Sequence, residues 1–356
     1  MAVIDEVFTP ETIQRFASTA GRATGLVRHR YDVLTAHGPF PNGDPAAFRI
    51  RQLRAERAAW EVYLDAAAST GVLDDDVIKR LHGDLDHNLR SALAECLTSW
   101  LFAGYLRLPV TARPPGRGEC KLELRVGHPT TPFNVEVKAP REEPLTDGVR
   151  VWSGNGAPRL EKALVDASRQ LPDDHANVLV LVPELRVAVS SDRYQFVQAF
   201  LGEFEIVVPI DMRTGGPSGP SENRFAPRGR FLRRRGKKDG DNTPANTRVS
   251  AVIVIEEKLV DPASRRLAFT KEQIDEAGAR GDKELLGEAL YEAMTAPLRS
   301  RELMWVAHNV FVIHNPFATR PIDSDVFSAF PQFVDVERLE TEVIRMEWTD
   351  GHRVTP

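Results

Sequence analysis

The chain has only two cysteines, Cys96 and Cys120, in 356 residues. Two are too few for a disulfide framework or for a zinc site made of cysteine ligands. Long apolar runs are also missing, because the most apolar stretch, residues 91–106, is shorter than a membrane span and contains a glutamate. The first residues include acidic side chains and no basic, apolar leader, so the sequence predicts no signal peptide, no membrane partner and a cytoplasmic location.

Several common catalytic motifs are missing as well. The sequence contains no GxxxxGK[ST] phosphate loop and no GxSxG nucleophile elbow. Its nine histidines are scattered, and none stands with a glutamate at the spacing of a metalloprotease. These absences argue against a P-loop NTPase, an α/β-hydrolase and a zinc protease.

The composition is that of an ordinary globular protein, with 42% hydrophobic and 27% charged residues. The net charge is −5, so any contact with nucleic acid needs a local basic patch. Residues 211–250 supply one, with ten basic residues against four acidic ones. Glycine and proline punctuate this stretch, which predicts an irregular loop.

The basic loop is the candidate nucleic-acid contact, because arginine and lysine supply most of the non-specific affinity for phosphates. Phe225 and Phe231 lie among its arginines and are expected to stack on bases. A solvated basic loop without a partner is the alternative. The candidate contact residues are Arg228, Arg230, Arg233, Arg234, Arg235, Lys237 and Lys238.

Helical periodicity dominates residues 1–84, and the pattern changes to strands after Pro109. Two alternating segments, one amphipathic helix and three apolar runs follow, at residues 120–126, 133–137, 159–171, 177–183, 249–255 and 306–313. This order predicts an α/β fold with a mixed central sheet flanked by helices. We expect a helical N-terminal region at 1–84 and an α/β domain at 85–356 that includes the basic loop.

The two alternating segments, CKLELRV at 120–126 and FNVEV at 133–137, predict an antiparallel hairpin closed by GHPTTP. The register that pairs apolar with apolar residues places Glu123 opposite Glu136. Like charges in that position are destabilising unless a cation lies between them, and oxygen ligands favour Mg²⁺ or Mn²⁺. The alternative is a solvated polar face balanced by neighbouring cations.

Two more residues bear on this site. Glu95 is the only charged residue between Arg90 and Arg107, so its helix is expected to be buried, and its carboxylate needs a metal or a structural arginine partner. Gln170 lies at the edge of the apolar face of the helix after the hairpin, where a glutamine is usually just solvated.

The order of these pieces resembles the PD-(D/E)xK nuclease superfamily, which has the restriction-endonuclease-like fold. The matching residues are Glu95 in ALAEC, Glu123 in KLELRV, Glu136 and Lys138 in VEVKAP, and Gln170 in SRQL before a buried strand. The resemblance covers about residues 86–183, and VEVKAP is its most specific part. The sequence departs from the family at Glu123, where the family usually has aspartate, and Glu119 is a fallback for that position.

The resemblance implies a metal-dependent nuclease that acts on DNA more than on RNA. Glu123, Glu136 and the carbonyl of Val137 would hold Mg²⁺ or Mn²⁺, and Glu95 would join directly or through water. Lys138 would orient the attacking water or stabilise the transition-state charge.

Gln170 would position that water or the backbone, and the N-terminal helices would carry substrate selection or the contacts of a homo-oligomer. Two alternatives stay open: a nuclease fold that binds nucleic acid or acts as a scaffold without cleavage, and a phosphohydrolase of small nucleotides. A second E-x-K, Glu256-Glu257-Lys258, follows the apolar run 249–255, and we predict that it is a strand end turning polar at the surface.

Overall fold

The computed structural model of the chain describes most of its residues. These are residues 2–20, 25–36, 45–140, 157–183, 193–201, 203–207, 210, 213–216, 222–226, 229–234, 242–261, 275–276, 278–281 and 303–333. Among them no helix is both long enough and apolar enough to cross a membrane.

The N-terminal third of the chain is helical, as the periodicity predicts. Asp74 begins one of these helices by accepting a hydrogen bond from the Val77 amide (2.9 Å), and Gly83 ends it. The helices are α1 (Val3–Val7), α2 (Pro10–Ala20), α3 (Gly25–Thr35), α4 (Pro45–Thr70), α5 (Asp75–His82), α6 (Asp86–Ser99), α7 (Ala157–Gln170) and α8 (Arg193–Phe200). A π-helical turn, Trp100–Tyr105, continues α6, and a 3₁₀ turn spans Ser324–Phe327.

The strands form one large mixed sheet and two small hairpins. They are β1 (Val110–Ala112), β2 (Leu124–Val126), β3 (Phe133–Lys138), β4 (Ala176–Leu181), β5 (Glu203–Val207), β6 (Glu222–Ala226), β7 (Leu232–Arg234), β8 (Asn242–Pro244), β9 (Ala251–Val260), β10 (Trp305–His314) and β11 (Gln332–Phe333). The sheet order is β1-β2-β3-β4-β9-β10-β11, in which β3, β4 and β9 run parallel. The predicted α/β fold with a mixed sheet flanked by helices is therefore confirmed.

Helices cover both faces of the large sheet. On one face Val135 and Val137 of β3 join a core shared with α1–α6. On the other face Leu179 of β4 packs with α7 and α8. Because side chains alternate along a strand, Glu136 and Lys138 lie on the face of α7. The polar side chains that matter for function thus project between the sheet and α7.

The predicted hairpin register is confirmed, since Val126 pairs with Phe133 and Leu124 pairs with Val135. The predicted strand at 120–126 is too long, however, because β2 begins only at Leu124. The residues before it turn back on the chain after β1 instead of extending along β3. Glu123 is the first residue outside the strand, and this displacement shapes the site described below.

The expectation of an irregular stretch at 211–250 is wrong in part. Strands β6, β7 and β8 lie within it, and β6 pairs with β5 while β7 pairs with β8. Phe231 is fully buried and stacks on Phe200 of α8, with ring centroids 5.8 Å apart. It is therefore not available to stack on bases, because packing under α8 uses its ring. The Phe225 side chain lies outside what the structure describes.

Candidate active site

The C-terminal half of β3 places two charged residues under α7. Glu136 is 1% exposed, and its Oε1 accepts a hydrogen bond from Lys138 Nζ at 2.5 Å. Its Oε2 is buried and has no hydrogen-bond partner in the described part of the chain. A buried carboxylate oxygen without a partner is costly, so this atom is suited to a ligand or a cation.

Glu123 reaches the same place from the end of β2. Its Oε2 accepts a hydrogen bond from the Val137 amide at 3.1 Å, where a longer β2 would have supplied a backbone carbonyl. Burial, and next the charge of Glu136, raise the pKa of Glu123 well above its ordinary range. The two predicted carboxyl groups are therefore neighbours, and Glu123 keeps its proton to a higher pH than an exposed glutamate does.

The chain bends at Arg113, directly after β1 and opposite Glu123. The Arg113 amide donates to the Glu123 carbonyl at 3.0 Å, so β1 and β2 stay paired beyond the point where β2 leaves β3. Arg113 has a positive φ of 51°, a conformation that residues with a Cβ rarely adopt.

Lys138 and Gln170 complete the group. Lys138 Nζ donates to Gln170 Oε1 at 3.5 Å as well as to Glu136. Burial lowers the pKa of Lys138, but the charge of Glu136 and the hydrogen bond to it raise it by more, so the amine stays protonated. Gln170 is the last residue of α7, and its carbonyl accepts a hydrogen bond from the Arg117 amide at 2.8 Å. Four of the five predicted catalytic side chains therefore lie together.

Glu95 on α6 has a different environment. It is 2% exposed, and its two oxygens accept a bidentate pair of hydrogen bonds from Arg80, at 2.6 and 3.0 Å. Arg113 donates a third hydrogen bond at 3.0 Å and also binds Asp74. The structural salt bridge that the sequence left open for Glu95 is present, made by two arginines.

A search of the described residues finds no group of three or more His, Cys, Asp or Glu side chains that could hold a metal ion. Two carboxyl groups remain for a cation, Glu123 and Glu136, with the carbonyl of Val137. In a strand the carbonyl points to the same side as the amide of its residue, so the Val137 carbonyl faces Glu123. This all-oxygen donor set fits Mg²⁺ or Mn²⁺, and the orphaned Oε2 of Glu136 is the observation that supports the fit.

The structure describes only part of the basic segment. Arg230 is exposed and forms an ion pair with Glu161 of α7. Arg233 and Arg234 lie in β7, although their side chains are outside the description. Arg228, Arg235, Lys237 and Lys238 also lie outside the described residues.

The second E-x-K is not the surface strand end that the sequence predicts. Strand β9 continues through it to Val260, and Glu256 is 2% exposed, with Oε2 hydrogen-bonded to Asn309 at 2.8 Å. Glu257 accepts a hydrogen bond from the hydroxyl of Tyr63 at 2.7 Å. On the face of Glu257 the strand is covered by Tyr63 of α4, a contact that the local sequence does not reveal.

Sequence reasoning missed three residues of this region: Arg80, Arg113 and Arg117. The isolated glutamate in an apolar helix signals that a cationic partner exists, but the partners come from another helix and from a loop.

No protein-family model, curated protein or solved structure matches this chain.

Proposed function

We propose that the protein is a Mg²⁺- or Mn²⁺-dependent nuclease of the PD-(D/E)xK type that hydrolyses phosphodiester bonds, with DNA as its main substrate. The observation that carries the proposal is the buried, unpartnered Oε2 of Glu136 beside Glu123, with Lys138 on the same strand face. Glu256 on β9 also has a buried oxygen without a partner, so the feature that distinguishes Glu136 is the second carboxyl group beside it.

The order of elements supports the proposal. Helix α6 carries Glu95, Glu123 precedes β2, β3 carries Glu136 and Lys138, α7 ends in Gln170, and the buried strand β4 follows. This is the order on which the resemblance to the superfamily rests. The parallel strands β3 and β4 end at the same edge of the sheet, a common location for ligand sites in α/β proteins.

The residues have distinct roles in this chemistry. Glu123, Glu136 and the Val137 carbonyl would hold the cation, which lowers the pKa of a bound water and neutralises charge on the phosphate. Lys138 places a positive charge beside the reacting phosphate, and Gln170 holds the lysine through its Oε1. Glu123 must lose its proton to bind a cation, so metal binding is expected to weaken as the pH falls.

The basic segment suits the backbone of DNA. It places arginines and lysines in the chain between β6 and β9, and Arg230 is held on α7, the helix that covers the site. Replacing Arg233, Arg234 and Arg235 with alanine should weaken DNA binding for every sequence. The slope of log affinity against log salt should fall by up to about three units, near 0.9 for each lost phosphate contact. An unchanged slope would show that these arginines do not contact phosphate.

The deciding experiment is a cleavage assay on the full chain. Plasmid, single-stranded DNA, RNA and deoxynucleoside triphosphates are incubated separately with Mg²⁺, with Mn²⁺ and with EDTA. We expect cleavage of DNA with metal only, loss of cleavage in Glu136→Gln, and normal cleavage in the matched control Glu119→Gln, since Glu119 is exposed. Hydrolysis of the triphosphates alone would instead identify a small-nucleotide phosphohydrolase.

A second candidate is a nuclease fold that binds DNA without cutting it. The observation that favours it is Glu95, because its charge is neutralised by Arg80 and Arg113 and the site keeps two carboxyl groups. It predicts DNA binding that depends on the basic segment, no cleavage with either metal, and no effect of Glu136→Gln on binding.

A further inference from the structure

We infer that Arg113 is a positioning residue that fixes Glu123 at the candidate active site, and that Glu95 acts by holding Arg113 rather than as a metal ligand. The inference rests on the proposed function only in taking Glu123 as part of the site. Its core, the mechanical link from Glu95 through Arg113 to Glu123, is tested without metal or substrate.

The guanidinium of Arg113 is held from two sides. Its Nε donates to Asp74 Oδ2 at 2.9 Å and its Nη2 donates to Glu95 Oε2 at 3.0 Å. Both acceptors are themselves fixed. Asp74 caps α5 through the Val77 amide, and Glu95 is buried and bound bidentately by Arg80. A planar guanidinium between two fixed carboxylates has one orientation available.

The backbone of Arg113 is strained, and the two carboxylate contacts hold its side chain in place. The φ of 51° at Arg113 is in the left-handed region, which a residue with a Cβ occupies only when its surroundings impose it. In that conformation the Arg113 amide donates to the Glu123 carbonyl at 3.0 Å. Glu123 stays paired with the bent Arg113 and so leaves β3, and its side chain meets the Val137 amide where the Leu122 carbonyl would lie in a continued strand.

The same contacts argue against Glu95 as a metal ligand. Its two oxygens accept three hydrogen bonds from two guanidinium groups. A cation would have to displace both arginines from those oxygens, although each arginine side chain is half-buried and held there. Glu95 is therefore an anchor, and Arg113 transmits its position to Glu123.

The test is amide hydrogen exchange at Val137 in the metal-free full chain, measured by NMR. Val137 reports the hydrogen bond to Glu123, whereas Val135, whose amide also faces β2, reports the sheet. Glu123→Ala sets the value for a lost bond. Arg113→Ala should speed Val137 exchange by about tenfold or more and leave Val135 unchanged, because only the local contact opens.

Two further variants separate backbone from side chain. Arg113→Gly accepts a positive φ without strain and should keep part of the Val137 protection that Arg113→Ala loses. Arg113→Lys keeps a cation but loses the two-sided hold, so Val137 should exchange faster than in the wild type. Arg113→Lys carries the test if Arg113→Ala does not fold. Unchanged Val137 exchange, or equal acceleration at Val135, would overturn the inference.

Glu95→Gln tests the anchor directly. If Glu95 holds Arg113, this variant should speed exchange at Val137 without any metal present. If Glu95 served only as a ligand, the metal-free protein would show no change, which would refute the anchoring role. Asp76→Asn is the matched control, because it removes only an exposed ion pair of Arg80. Calorimetry of the wild type with Mn²⁺ runs in parallel: absence of binding would reject the proposed function and leave the exchange result standing.

Discussion

Two glutamate-x-lysine segments lie on parallel strands of one sheet and on the same face of it, yet their surroundings differ. On β3, Glu136 contacts Lys138 and lies beside a second carboxyl group, Glu123. On β9, Glu256 is hydrogen-bonded to Asn309, and Lys258 is exposed. The three-residue motif alone therefore does not specify a metal site. What distinguishes β3 is the neighbouring segment before β2, which places a second carboxyl group, that of Glu123, beside Glu136.

The middle residue differs as well. Val137 packs in the core beneath the N-terminal helices, so β3 offers only its backbone to the site. Glu257 instead joins a buried polar cluster with Tyr63 and His308. The β9 segment thus has a stabilising contact on the helical side, where the β3 segment has plain apolar packing.

The largest expected effect separates the two lysines. Lys138→Ala should abolish DNA cleavage and leave the fold and DNA binding nearly unchanged, because the amine acts on the transition state. Lys258→Ala is the matched control and should cleave like the wild type. Single-turnover cleavage rates and binding isotherms for both variants check this. Cleavage that survives in Lys138→Ala, or disappears in Lys258→Ala, would invert the assignment of the two segments.

The next effect concerns the two glutamates and metal. In EDTA, the free energy of unfolding of Glu136→Gln should lie within about 1 kcal/mol of the wild-type value, because the variant loses both the repulsion from Glu123 and the ion pair with Lys138, which act in opposite senses. With Mn²⁺ at about a hundred times its Kd, the wild type alone should gain about 2.7 kcal/mol. Thermal melts with and without Mn²⁺ measure both terms.

Glu256→Gln should respond to Mn²⁺ as the wild type does, because Glu256 has no facing carboxylate on β10. If Mn²⁺ stabilises the wild type and Glu136→Gln equally, or neither of them, then Glu123 and Glu136 do not form a metal site.

The smallest expected effect concerns His308, which lies beside Glu257, the middle residue of the β9 segment. Burial lowers the pKa of His308 from 6.5 to about 4, so between these pH values the unfolded chain binds more protons than the folded one. The His308 contribution is therefore complete above pH 6.5 and is lost as the pH falls, by at most about 3 kcal/mol. Partial hydration of the protonated imidazole in the folded state makes this free energy smaller.

Denaturant melts of the wild type and His308→Gln, from pH 7 down to pH 4, isolate that contribution. Burial raises the pKa of Glu257, which acts in the opposite sense in both proteins. The difference in the free energy of unfolding between the wild type and His308→Gln should become smaller as the pH falls. An equal difference at every pH would show that protonation of His308 does not contribute to stability.

The sequence predicts this site well where the signal is local. Strict alternation, a short turn and matching apolar faces specify the β2–β3 register, because a shift of one residue would expose every core side chain. The apolar run of β4 and the amphipathic face of α7 are equally local. These patterns suffice to bring Glu136, Lys138 and Gln170 together, whereas Glu123 reaches them from outside β2.

The rest depends on distant residues. The arginines that bind Glu95 lie 15 residues before it and 18 residues after it, on elements whose packing no periodicity reveals. The alternation of CKLELRV does not change at Glu123, so the bend imposed at Arg113 leaves no trace in that pattern. The surroundings of Glu257 and Phe231 likewise come from helices α4 and α8, far away in the chain.

The strand order has a consequence for how the chain folds. Strands β1 to β4 are consecutive in sequence and neighbours in the sheet, and they are joined by residues 113–123, 127–132 and 139–175. The next pairing, β4 with β9, joins Leu181 to Val254 and must close a much longer loop. We therefore expect the part of the sheet that carries Glu123, Glu136 and Lys138 to assemble early, before β9 and β10 dock.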